Sequence, residues 1–124
     1  MPAVIARHHR LAEGVRRAVA VWGLALCARE PRWHSDTVST VLTPAGVDAR
    51  AVSARAFDRY DLSLGGGLGP LAGKAFRIGH LGDLNEVMLL GALAGVEMAL
   101  ADCGVKLTAG AGVAAAERYW RAGD

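Results

Sequence analysis

Cysteine is scarce in this sequence of 124 residues, where only Cys27 and Cys103 occur, far apart along the chain. They do not form the C-x-x-C spacing of zinc ribbons and redox motifs, and a single pair in a chain of this length is no disulfide framework. We therefore predict two buried thiols, no bound metal and a reducing compartment.

Long apolar runs and charge of one sign are also missing. Charged residues such as Arg16, Arg29 and Glu97 interrupt every stretch that could approach the roughly 18 to 20 residues of a spanning helix. The first residues lack the cationic and then apolar pattern of a secretory signal. Lys and Arg number 14 against 12 Asp and Glu, and they are spread along the chain, which argues against a nucleic-acid or membrane surface. We expect a soluble, cytoplasmic protein.

What is present is ordinary globular composition, with 52% apolar and 21% charged residues. The length favours a single domain over residues 1–124. Apolar residues at helical spacing predict an amphipathic first helix over about residues 4–22. Further helices are predicted over about 48–60, from 87 to about 102 with Asp83 as a candidate N-cap, and over 113–120.

Two segments carry strand patterns. Residues 37–43 are rich in β-branched side chains, and residues 74–78 alternate apolar and charged positions. Because helices and strands do not alternate strictly, we predict an α+β fold with a small, mainly antiparallel sheet covered by helices. So small a sheet needs cover on both faces, which suggests a missing partner.

Arg77 is the sharpest candidate for a functional residue. The alternation of Phe76, Arg77 and Ile78 aims the arginine away from the apolar side of its strand. A guanidinium there can bind a carboxylate in a bidentate way, or it can form a structural ion pair with Asp83 or Glu86. The residues themselves leave both alternatives open.

Other candidates are weaker. His80 and Gly79 follow the strand of Arg77, where functional side chains often lie, but a histidine that only bonds a backbone carbonyl is the favoured interpretation of His80. The glycines of residues 65–73 match a dinucleotide fingerprint in spacing, but a strand follows them instead of a helix, so a tight turn is preferred. Lys74 lies beside this turn and is expected to be solvated.

The sequence resembles a known family in four segments. Residues 65–87 are GGGLGPLAGKAFRIGHLGDLNEV, residues 89–98 are LLGALAGVEM, residues 112–116 are GVAAA and residues 4–12 are VIARHHRLA. These segments are similar to the C-terminal part of the serine-glyoxylate and alanine-glyoxylate aminotransferases, the class V branch of fold-type I pyridoxal-phosphate enzymes. The resemblance covers essentially the whole chain, and it makes residues 4–22 the interdomain helix.

The resemblance implies a role for Arg77. In this family the arginine of the R-I-G motif binds the α-carboxylate of the substrate, and Gly79 and His80 would line the same site. The reaction implied is transfer of an amino group from serine or alanine to glyoxylate, with pyridoxal phosphate as the electron sink. The R-I-G-H-L-G-D-L-N-E run is closer to the serine-glyoxylate branch.

The resemblance also implies what this chain lacks. The family's catalytic lysine and cofactor-binding aspartate lie in a large domain that is absent here, so no catalytic residue, cofactor or metal is expected in this chain alone. One hypothesis is an enzyme part that needs a large-domain partner or forms homo-oligomers. The alternative is a noncatalytic remnant, or a dimerisation or binding module, that keeps the fold.

Overall fold

The computed structural model describes residues 2–28, 38–67, 71–79 and 84–122. Four helices and four strands occur in these ranges. In chain order they are α1 (Pro2–Val21), β1 (Ala25–Leu26), β2 (Val38–Leu42), α2 (Ala49–Tyr60), β3 (Gly65–Gly66), β4 (Ala75–Gly79), α3 (Glu86–Asp102) and α4 (Ala111–Ala122). The predicted α+β class is confirmed.

The sheet has the strand order β1-β2-β4-β3, and every neighbouring pair is antiparallel. The long central pair places Thr40 opposite Arg77 and Val41 opposite Phe76. Strands β1 and β3 have two residues each, too few to show the β-branched composition that predicted β2 or the alternation that predicted β4.

Helices cover one face of the sheet. Val41, Phe76 and Ile78 belong to the hydrophobic core with residues of all four helices. The side chains between them in sequence lie on the other face, since successive residues of a strand alternate. The hydrophobic core therefore covers one face of the sheet, and the other face lies outside the core.

The caps of two helices follow from local chemistry. Asp48 accepts a hydrogen bond of 2.9 Å from the backbone N–H of Arg50 at the start of α2. Asn85 accepts one of 2.9 Å from Met88 at the start of α3. The prediction of Asp83 as the cap of α3 was therefore wrong. The side chain of Asn85 is the one placed to reach an N–H three residues later.

Helices α1 and α4 pack closely because Trp120 of α4 lies against Gly14 of α1, and Trp22, just past the end of α1, lies against Gly112 of α4. The indole of Trp120 occupies the space that a Cβ on Gly14 would take, and the indole of Trp22 does the same at Gly112. Both tryptophans are nearly buried. The first helix, predicted over about residues 4–22, thus has its partner at the end of the chain.

The cysteines do not match the expectation of two buried thiols. Cys27 is exposed and Cys103 is partly buried, and both are free. Cys27 lies just past β1 at the edge of the sheet.

In the described ranges no helix has both the length and the apolar character needed to cross a membrane.

Candidate functional site

Arg77 lies in the middle of β4, on the sheet face opposite the helices. Its neighbours Phe76 and Ile78 are buried in the core, whereas Arg77 is partly exposed. Across the ladder it faces Thr40 on one side and Gly65 on the other. The predicted orientation of Arg77, away from the apolar side, agrees with this alternation.

The guanidinium of Arg77 makes a single hydrogen bond within the described residues. Its Nε–H donates to the backbone carbonyl of Gly66 over 2.9 Å. In the same part of the chain no carboxylate forms an ion pair with Arg77. The two terminal nitrogens bond to none of the described residues, and their N–H donors suit an anion that carries two oxygens, such as a carboxylate.

Glu86, one of the two acids considered as a structural partner of Arg77, is paired elsewhere. It accepts a hydrogen bond from Arg10 of α1. This bond is the main reason why the pKa of Glu86 lies below its ordinary value. The other acid, Asp83, lies outside the described residues. The Glu86 alternative is thus ruled out by a competing arginine that is remote in sequence.

The remaining predicted site residues are less informative. Gly79 is exposed at the end of β4, paired with Val38, and a Cβ built on it would meet nothing within 4 Å. His80 lies outside the described residues. Thr40, Gly65 and Gly66, which surround Arg77, were not predicted as site residues, because their proximity depends on the register of the sheet.

The residues present do not fit a pyridoxal-phosphate site. Such a site needs a lysine amine in a desolvated pocket, and the two lysines of the chain, Lys74 and Lys106, are both exposed. Lys74 lies in the turn before β4, where its backbone carbonyl accepts a hydrogen bond of 3.0 Å from the Thr43 N–H. Among the described residues no group of His, Cys, Asp and Glu side chains could hold a metal ion.

A polar cluster links α2 to α3 away from Arg77. Asp102 accepts hydrogen bonds from the Tyr60 hydroxyl, over 2.5 Å, and from Arg55 Nε, over 2.8 Å. These two donors lower the pKa of Asp102, and the bond to Asp102 raises the pKa of Tyr60. The cluster joins two helices at their C-terminal ends, which gives it a structural role.

Large apolar side chains are exposed near the N-terminal ends of α1 and α3. Val4 and Ile5 in the first turns of α1 are 46% and 65% exposed, and Val87 and Met88 at the start of α3 are 76% and 52% exposed. Arg10, in the middle of α1, bonds to Glu86 at the start of α3 and ties the two helices together. We call these four residues the apolar end.

Comparisons with known proteins give a consistent result, although no family model matches the chain. The serine–glyoxylate aminotransferase of Methylorubrum extorquens is 59% identical over 115 residues, which are 93% of this chain and 29% of that enzyme. The L-aspartate–glyoxylate aminotransferase of Paracoccus denitrificans is 51% identical over 118 residues, 95% of this chain and 30% of that enzyme.

A solved structure gives the same picture of the fold. The crystal structure of pyridoxamine-pyruvate aminotransferase from Mesorhizobium loti matches 99% of this chain and 32% of its own, with a TM-score of 0.93 and 35% identity. The chain therefore spans only about three tenths of the length of these three proteins.

Proposed function

We propose that this chain, a part of the serine–glyoxylate aminotransferase family equal to about 29% of a member's length, binds the substrate carboxylate in such an enzyme. The reaction proposed is amino transfer from serine or alanine to glyoxylate. The relatives differ in the amino donor that their names give, serine in one and L-aspartate in another. The part common to all these compounds is the carboxylate beside the reacting carbon.

Arg77 carries this proposal. Its guanidinium lies on the sheet face opposite the helices, is partly exposed, and is not paired with a carboxylate in the described part of the chain. A planar guanidinium whose two terminal nitrogens bond to none of the described residues matches a carboxylate in geometry and in charge. Arg77 would hold and orient the amino acid or oxo acid and would neutralise its charge, while proton transfers belong to other groups.

Pyridoxal phosphate, when bound to transaminases, supplies the electron sink of the reaction. Because Lys74 and Lys106 are both exposed and neither amine is desolvated, the cofactor is assigned to a large domain outside this chain. We expect the isolated chain neither to form a cofactor adduct nor to transaminate. Borohydride reduction after incubation with the cofactor, followed by mass spectrometry, checks this. An adduct on one defined lysine together with turnover of serine and glyoxylate would contradict it.

The partner proposed is that large domain, or a second copy of the chain in a homo-oligomer. Both the sheet face with Arg77 and the apolar end of Val4, Ile5, Val87 and Met88 are surfaces that burial in a partner would stabilise. We therefore expect self-association of the isolated chain. Sedimentation velocity at high concentration checks it, with the variant Val87→Ser, Met88→Ser as the comparison. A parent that sediments as a monomer at all concentrations would contradict the expectation.

A chimera tests the proposed function itself. The matching 115-residue segment of the Methylorubrum extorquens enzyme is replaced with this chain, and amino transfer from serine to glyoxylate is measured. We expect an active enzyme. A folded chimera that binds the cofactor but does not turn over would instead support the alternative, a noncatalytic module that keeps the fold.

A further inference from the structure

The strand beside Arg77 is made of two glycines, and both touch the arginine. Gly65 is the direct neighbour of Arg77 across the β3–β4 pair, and Gly66 is the neighbour of Phe76. Glycine is a poor strand residue, because it has no side chain to pack and loses the most backbone freedom. Its presence here indicates a requirement for space.

The space next to Gly65 is filled by the arginine. A Cβ built on Gly65 would lie 3.0 Å from Arg77 Nε, 3.1 Å from Arg77 Nη2 and 3.2 Å from Arg77 Cβ. These distances are shorter than ordinary van der Waals contact, so any side chain at position 65 forces the guanidinium to move. The arginine can lie this close to the backbone of β3 because Gly65 has no side chain.

The backbone of Gly66 fixes the direction of the guanidinium. Its carbonyl accepts the Nε–H of Arg77 over 2.9 Å. This bond occupies the side edge of the guanidinium, the edge formed by Nε and one terminal nitrogen. A bidentate carboxylate must then bind at the other edge, the end formed by Nη1 and Nη2.

We propose that Gly65 is a positioning residue for the carboxylate-binding arginine, and that with the Gly66 carbonyl it presents Arg77 end-on to the substrate. This inference rests on the proposed function of Arg77. Gly65 acts only through Arg77 and does not itself touch the substrate. A methyl group at position 65 shifts the guanidinium by a few tenths of an ångström or breaks its bond to Gly66.

Kinetics of the chimera test the inference with Gly65→Ala and a matched control. The control is Gly91→Ala, since a Cβ on Gly91 of α3 meets nothing within 4 Å and Gly91 lies outside the site. We expect Gly65→Ala to raise KM for serine and for glyoxylate about tenfold, because small misplacements of a binding group are costly. Gly91→Ala is expected to keep the KM of the parent.

A double variant separates this inference from the proposed function. In the Arg77→Ala background, Gly65→Ala is expected to add no further increase in KM, because the residue through which it acts is gone. If Arg77→Ala raises KM but Gly65→Ala does not, the positioning role fails and the proposed function stands. If Gly65→Ala has the same effect with and without Arg77, the positioning role fails as well. If Arg77→Ala changes nothing, both fail.

A measurement on the isolated chain is independent of turnover. In the parent, the Nε–H proton of Arg77 is expected to exchange slowly with water in a nitrogen-15 NMR spectrum, because it is bonded to Gly66. Gly65→Ala is expected to speed this exchange at least severalfold, with an unchanged thermal melt, and Gly91→Ala is not. Equal exchange rates in all three proteins would overturn the inference.

Discussion

Arg10 and Trp120 bond to each other's backbone carbonyl. Arg10 Nη2 donates to the carbonyl of Trp120 over 2.5 Å, and Trp120 Nε1 donates to the carbonyl of Arg10 over 2.9 Å. The same guanidinium also donates to Glu86 of α3. One arginine of α1 thus joins α1 to both α3 and α4, and the indole of Trp120 is held against Gly14.

Gly14→Ala is expected to destabilise the fold. The new Cβ would overlap the Trp120 indole, and overpacking of a filled interface costs roughly 1 to 3 kcal/mol, more than the helix gains from replacing glycine. Gly91→Ala is the matched control, because it adds the same methyl group to a helix in open space. Urea denaturation of both variants measures the effect. A Gly14→Ala variant as stable as Gly91→Ala would contradict this packing.

Acid is expected to weaken the contact between α1 and α3. Arg10 lowers the pKa of Glu86 below its ordinary value of 4.5, so as the pH falls the unfolded chain takes up this proton before the folded chain does. The stability that Glu86 contributes is therefore complete above its ordinary pKa of 4.5. It is lost as the pH falls through the lower pKa that Glu86 has in the folded chain. The effect is small, since the Glu86 side chain is 41% exposed.

Urea midpoints between about pH 7 and pH 3 test this dependence on Glu86. Glu86→Gln is expected to show a smaller loss of stability with acid than the parent. Glu117→Gln, a change at an exposed carboxylate of α4, serves as the control. If the Glu86→Gln and parent profiles are parallel, the ion pair with Arg10 does not contribute in solution.

Glu97→Met is expected to stabilise the chain. The Glu97 side chain is nearly buried in α3, its Oε2 has no hydrogen-bond partner among the described residues, and apolar groups such as Ala94, Leu107 and Val113 lie around it. Burying a carboxylate oxygen without a hydrogen bond costs free energy, and an apolar side chain of similar shape removes that cost. We therefore expect a gain of about 1 kcal/mol in the free energy of unfolding. Calorimetry of the chain measures it. A loss of stability would show that the carboxylate has a favourable role.

The helices and the two longer strands of this fold could be predicted from the sequence, because they are long enough to show a hydrophobic or compositional pattern. The first helix was predicted over about residues 4–22 and runs over Pro2–Val21, and the alternation around Arg77 predicted a strand. The sequence does not predict strand β1, and it predicts a turn where β3 lies. Two residues are too few to show a hydrophobic period, and glycine has no strand preference.

The surroundings of Arg77 could not be predicted for a different reason. Arg77 itself was identified from its place in an apolar strand and from the resemblance. Its bond to Gly66 and its fit against Gly65 depend on a register set by the pairing of the whole sheet. The pairing of Glu86 with Arg10 spans 76 positions, and no local pattern indicates such a contact.

The kinetics of Arg77 variants in the chimera test the central claim most directly. Arg77→Ala is expected to lower kcat/KM for serine by a factor that corresponds to roughly 2 to 4 kcal/mol of transition-state stabilisation, because a charged bidentate partner of a desolvated carboxylate is lost. Arg77→Lys is expected to recover only part of this, since a point charge cannot replace the planar fork. Both variants are expected to melt near the parent temperature. An Arg77→Ala variant that melts far below the parent, with unchanged kcat/KM per folded molecule, would show that Arg77 supports the fold and does not bind the substrate.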